Sequence, residues 1–102
     1  MVNVLVLFGR PVDEAVFDTY FHETHRGVLR RMPHVEQVTV NRVAGAATGT
    51  SPFHVIVELR YSSEQRMQDS LNSAEGQAMA RDFQAFASGG VTILFCETQS
   101  EA

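Results

Sequence analysis

The sequence predicts an α+β domain of element order β-α-β-β-α-β, the ferredoxin-like arrangement with helices on one face of a four-stranded antiparallel sheet. Three observations lead there. Four apolar, β-branched runs alternate with two stretches of helical period. Glycine, proline and serine punctuate the junctions between them. The two β-α-β halves form a crude internal repeat. The chain, 1–102, reads as a single domain without linker or low-complexity tract.

Taking the elements in order, Val2 to Phe8 is apolar on both faces and is broken by Gly9-Arg10-Pro11, which reads as a buried strand. A helix is predicted from Asp13 to Met32, with Asp13 and Glu14 at its start, where acidic groups suit the helix dipole. Arg26, Arg30 and Arg31 occupy its later turns, Gly27 weakens or bends them, and Pro33 stops it. Val35 to Val43 alternates as a second strand, and Ala44 to Pro52 is a loop. In the third strand Phe53, Val55, Val57 and Leu59 mark one face, and His54, Ile56, Glu58 and Arg60 the other. Ser62 with Gln65 suggests a capping box for a helix around Met67 and Leu71. Ser73 suits the cap of a further helical piece carrying Met79, Ala80, Phe83 and Phe86. Ser88-Gly89-Gly90 ends it, and Val91 to Cys96 is the last strand.

That topology leaves a surplus of apolar surface. Alternation sets Leu5 and Leu7 against Val4 and Val6, Leu94 and Cys96 against Ile93 and Phe95, and Ile56 against Val55 and Val57. Helices on one side cannot cover both sets. An identical chain packed sheet against sheet would cover the second, so a homodimer through the uncovered face is expected.

Composition narrows the function. All eight basic residues are arginine, which excludes Schiff-base chemistry and a P-loop lysine. The formal net charge of −4 argues against a nucleic-acid partner. The run at the amino end is too short to cross a bilayer and lacks a basic flank, so no membrane partner and a cytoplasmic location are expected. Cys96 is alone and forms no intrachain disulfide; a lone strand cysteine behaves as a small hydrophobe. His22 and His25 are three apart with no third ligand in view, and Arg26 stands where a helical zinc motif needs histidine, so no metal is expected. No fingerprint of a dinucleotide or other cofactor is present.

His25 is the most informative residue. At about 100° per residue it lies within roughly 60° of the centre of the stripe formed by Phe17, Tyr20, Phe21, Thr24 and Val28. An imidazole aimed at the interior suits either a hydrogen-bonded structural role or acid–base work. Phe17, Tyr20, Phe21, Phe83 and Phe86 read by default as core; if a pocket lies between helices and sheet they line it instead, with Asn41 or Thr39 supplying a hydrogen bond from the second strand. The arginines Arg26, Arg30 and Arg31 either steer an anion or form a solvated helix end.

The segments Val4 to Pro11, Phe17 to His25 and Ser73 to Gln77 resemble the EthD family, associated with ethyl tert-butyl ether degradation. Asp82-Phe83, Phe86-Ala87 and Gly89 to Thr92 continue the resemblance, which covers nearly the whole chain. It implies a homodimer whose sheets close into a dimeric α/β barrel, with a cavity in each subunit. The family histidine maps onto His25, and the aromatic position before it onto Tyr20 or Phe21. Family members usually continue with an apolar residue and proline; Arg26-Gly27 departs from that pattern. Relatives in the wider superfamily include isomerases, polyketide cyclases and cofactor-independent monooxygenases.

The expectation is a protein that binds a small apolar organic molecule, with His25 as acid or base in a cofactor-free isomerisation, cyclisation or oxidation. A non-catalytic binding or accessory module of an oxygenase system is the alternative. A third is an assembly domain with a filled core.

Overall fold

The structure, a computed structural model, describes residues 1–101. Strand β1 (Val2–Gly9) leads into helix α1 (Glu14–Tyr20), a π-helical turn at Phe21–His25, and α2 (Arg26–Arg30). Strands β2 (Gln37–Arg42) and β3 (Phe53–Tyr61) follow, then α3 (Glu64–Asn72), α4 (Ala74–Phe86) and β4 (Val91–Glu97). The sheet order is β2-β3-β1-β4 and every pairing is antiparallel. This is the α+β, ferredoxin-like fold expected from the pattern.

Local chemistry sets the helix ends. The Asp13 carboxylate accepts from the amides of Ala15 and Val16, satisfying two of the donors that an N-terminus leaves open. Ser73 caps α4 through the Gly76 amide, as expected, whereas α3 is capped by Ser63 rather than Ser62, through the Arg66 amide. The sharp corner between α3 and α4 needs Gly76, because a Cβ there would collide with the carbonyls of Ser70 and Leu71.

The first helical stretch is continuous but not uniform. Phe17, Phe21, His25 and Leu29 are all buried, at spacings of four. In an ideal α-helix each such step drifts by about 40° around the axis, which would carry the set off the core. The π turn, closed by the Arg26 amide on the Phe21 carbonyl, widens one turn and takes back part of that drift. The irregularity precedes Gly27, whose position is open enough to accept a Cβ.

Val4, Val6, Phe8, Val55, Val57 and Leu59 bury one sheet face under the helices. Leu5 pairs with Leu94 and Leu7 with Ile56 on the opposite face, where no helix of the described residues lies. Leu94 is 45% exposed there. Strict alternation fails at one place. Phe8 pairs with Val55 but Gly9 pairs with Phe53, so His54 is an extra residue in a bulge. The bulge turns His54 toward the helices, where it is buried, rather than to the Ile56 face that alternation predicted. Among the described residues, no helix is long and apolar enough to cross a membrane.

Candidate functional site

The helical stripe delivers His25 into an aromatic shell. Its ring centroid lies 4.6 Å from Phe86, 5.6 Å from both Phe21 and Phe83, and 6.0 Å from Phe8. The residue is fully buried. Nδ1 sits 2.8 Å from Oδ2 of Asp82 on α4. An ionised carboxylate only accepts, so Nδ1 carries the hydrogen and donates, leaving the lone pair of the neutral ring on Nε2. Nε2 is buried and has no hydrogen-bond partner among the described residues.

Asp82 is held from its other side. Its Oδ1 accepts from the Tyr20 hydroxyl at 2.6 Å. That hydrogen bond to a carboxylate, reinforced by desolvation and by the carboxylate's charge, raises the phenol above its usual range, so Tyr20 remains a donor. For His25 burial dominates and lowers the imidazole below its ordinary value, against the opposing hydrogen bond and charge of Asp82. The ring is therefore neutral at neutral pH, with a basic nitrogen among phenyl rings and a carboxylate behind it. This arrangement can accept a proton at Nε2 and stabilise the resulting imidazolium through Nδ1.

Of the residues expected at the site, His25, Tyr20, Phe21, Phe83 and Phe86 are brought together. Asn41 is not. It pairs with Ile56, and Thr39 with Glu58, on the sheet face away from the helices. Strand alternation places Val38 and Val40, not their neighbours, on the His25 side. Asp82 is the partner that sequence reasoning did not single out. Its signal is the one that exposed His25: an ionisable residue three after Met79 and four before Phe86, on a helix's apolar face.

A second histidine–carboxylate pair lies nearby. His54 Nε2 is 2.7 Å from Asp18 Oδ1, and its Nδ1 is 3.7 Å from Glu14 Oε1. The ring meets Phe17 edge-on at 5.0 Å. Arg42 contacts Asp18 Oδ2 at 3.3 Å, and Arg10 contacts Glu14 at 2.9 Å. Among the described residues, no group of three or more His, Cys, Asp or Glu could hold a metal ion.

Comparison with known proteins gives the chain's family and bears on its fold. The family described as REDY-like protein HapK matches residues 2–98, and the chain belongs to that family. A crystal structure of an ethyl tert-butyl ether degradation (EthD) family protein from Bacillus halodurans is similar at 28% identity and TM-score 0.92. It covers 97% of this chain and 99% of its own. The EthD resemblance read from the motifs is thus borne out. An 11.0 kDa protein from the thcB-thcC intergenic region of Rhodococcus erythropolis, itself uncharacterised, is 27% identical over 100 residues, 98% of this chain and 97% of its own. Two more distant structures share the fold alone. One is a dimeric ferredoxin-like protein from Jannaschia (10% identity, TM-score 0.73, 95% of this chain and 98% of its own). The other is SnoaB, a cofactor-independent oxygenase from Streptomyces nogalater (13%, 0.68, 98% and 94%).

Proposed function

We propose that this chain is a small cytoplasmic homodimer that binds a small apolar organic molecule and performs cofactor-free acid–base chemistry on it. His25 Nε2 removes a proton from an acidic C–H or phenolic O–H. Asp82 stabilises the imidazolium, and Tyr20 fixes Asp82. The carrying observation is the asymmetry of the His25 ring: Nδ1 is tied to Asp82 at 2.8 Å while the enclosed Nε2 has no partner among the described residues. Phe21, Phe83 and Phe86 supply the apolar contact with the ligand, and reaching Nε2 requires one of these rings to move. The outcome is an isomerisation or cyclisation, or an oxidation in which dioxygen, as co-substrate, takes the electrons of the deprotonated molecule, within degradative or secondary metabolism. Asn41, on the other sheet face, plays no part in this site. The exposed Leu94 and half-buried Leu5, Leu7 and Ile56 support dimerisation through the open face, which a second copy would cover.

The test is His25→Gln against the unaltered protein, with product formation from aromatic and polyketide-like substrates followed by mass spectrometry. Turnover should fall by about 10²–10⁴-fold, the contribution of a positioned base, while sedimentation still shows a folded dimer. Tight binding without product in the unaltered protein would instead identify a carrier or an accessory module of an oxygenase system. A variant that unfolds, with no ligand found, would make His25 a structural residue. A well-folded monomer at micromolar concentration would remove the dimer.

A further inference from the structure

A groove runs between the first helical stretch and β2, and its charge is at odds with the rest of the molecule. One part, of about 270 Å³, is lined by Asp18, Phe21, His22, Arg26, Val40, Arg42 and Val55. It adjoins a second part, of about 170 Å³, which shares Arg26 and Val40 and adds Leu29, Arg30 and Val38. The apolar lining is Phe21, Leu29, Val38, Val40 and Val55. Three guanidinium groups line it with them, on a protein whose formal net charge is −4.

Those arginines are poorly neutralised. Neither Arg26 nor Arg30 has a carboxylate within salt-bridge distance among the described residues, and Arg26 instead contacts His22 Nδ1 at 2.8 Å. Arg42 reaches only Asp18, at 3.3 Å, and Asp18 gives its shorter contact to His54 at 2.7 Å. An apolar trough with under-neutralised guanidinium groups suits a molecule with a flat hydrophobic body and an anionic end, since guanidinium pairs with carboxylate in a directional two-point contact. Phe21 lines this groove and also packs against His25.

We propose that the groove binds the anionic end of an aromatic organic carboxylate, with Arg26 and Arg42 holding the carboxylate and Arg30 adding attraction. Phe21 then lies between the bound body and His25. The proposal rests on the reading of His25 as the reactive base, and it refines that reading by giving the ligand a charge and a direction of approach.

The probe is 2-naphthoate, with neutral 2-naphthamide as its isostere, followed by the arginine side-chain N–H resonances in a ¹H–¹⁵N NMR titration. Naphthoate should bind at least about tenfold more tightly than the amide and shift the Arg26 and Arg42 signals. Arg26→Gln and Arg42→Gln should each weaken it several-fold, and the double variant should abolish the preference for the acid. Arg42 is exposed and Arg26 half-buried, and circular dichroism checks that the variants fold. Equal affinity for acid and amide, shifts confined to other parts of the surface, or no saturable shift at millimolar probe would overturn the proposal. His25→Gln should retain naphthoate binding. Failure of the groove is therefore read from binding, and failure of the base from turnover.

Discussion

Two histidine–carboxylate pairs involve the first helical stretch, one joining its π turn to α4 and the other joining α1 to β3, and they use their rings differently. His25 spends Nδ1 on Asp82 and keeps Nε2 among phenyl rings, without a partner among the described residues. His54 gives Nε2 to Asp18 and turns Nδ1 toward Glu14. Each is almost fully buried and each packs against an aromatic ring. Burial of an ionisable residue therefore does not by itself mark a reactive one. What separates them is what the second nitrogen faces: for His54 a carboxylate 3.7 Å away, for His25 a shell of phenyl rings. His54 ties the bulge in β3 to α1, while His25 is oriented by Asp82 as the proposed base requires.

The largest expected effect breaks the first pair. Asp82→Asn keeps the size of the side chain but removes the charge that stabilises a protonated His25. A carboxylate behind a catalytic histidine fixes its tautomer and supports the imidazolium, so turnover should drop by about 10²–10³-fold. Steady-state kinetics on any substrate found for the unaltered protein checks this, with near-native circular dichroism as the control. Undiminished turnover would leave Asp82 as an ordinary tether.

The second pair should respond in the opposite sense. His54→Ala removes a ring packed edge-on against Phe17 and a hydrogen bond to Asp18. Asp18 is 37% exposed and can rehydrate, so the cost is mainly lost packing, about 2 kcal/mol. For a domain of this size that lowers Tm by roughly 10 °C. Turnover per folded molecule should remain within a few-fold of the parent. A loss as deep as that of Asp82→Asn would mean that both pairs serve one reaction.

The difference between the pairs also measures what the sequence could reveal. His25 was legible because helical period alone puts it on the stripe with Phe17 and Phe21. The strands were legible for the same kind of reason: a period of two separates Val4 and Val6 from Leu5 and Leu7. His54 was not, since a bulge shifts alternation by one residue and nothing local in Phe53-His54-Val55 announces it. The π turn was hidden too, because it answers the position of the core rather than any residue's own preference. Membership of the second strand does not put Asn41 at the site, because the register decides its face. The groove needs Arg42 from β2 to line the same hollow as Arg26, a juxtaposition across folded chain that spacing does not encode.

The smallest expected effect sharpens the comparison by asking what burial does to His25 as pH changes. Its imidazole titrates below the ordinary value of about 6.5 because desolvation outweighs the attraction of Asp82. On acidification the unfolded chain therefore binds the proton first. Between the unfolded and folded values the unfolded state carries more protons, and stability rises with pH. The contribution is complete above about pH 6.5 and is lost as pH falls through the lower folded value. Denaturant unfolding of the parent and His25→Gln at pH 7.5, 6 and 5 isolates it, since the other titrating groups largely cancel in the difference. The parent's advantage should shrink toward pH 5. If it grows instead, the folded protein prefers the imidazolium, Asp82's charge rather than the phenyl shell governs the ring, and His25 would stand in its resting state as an acid.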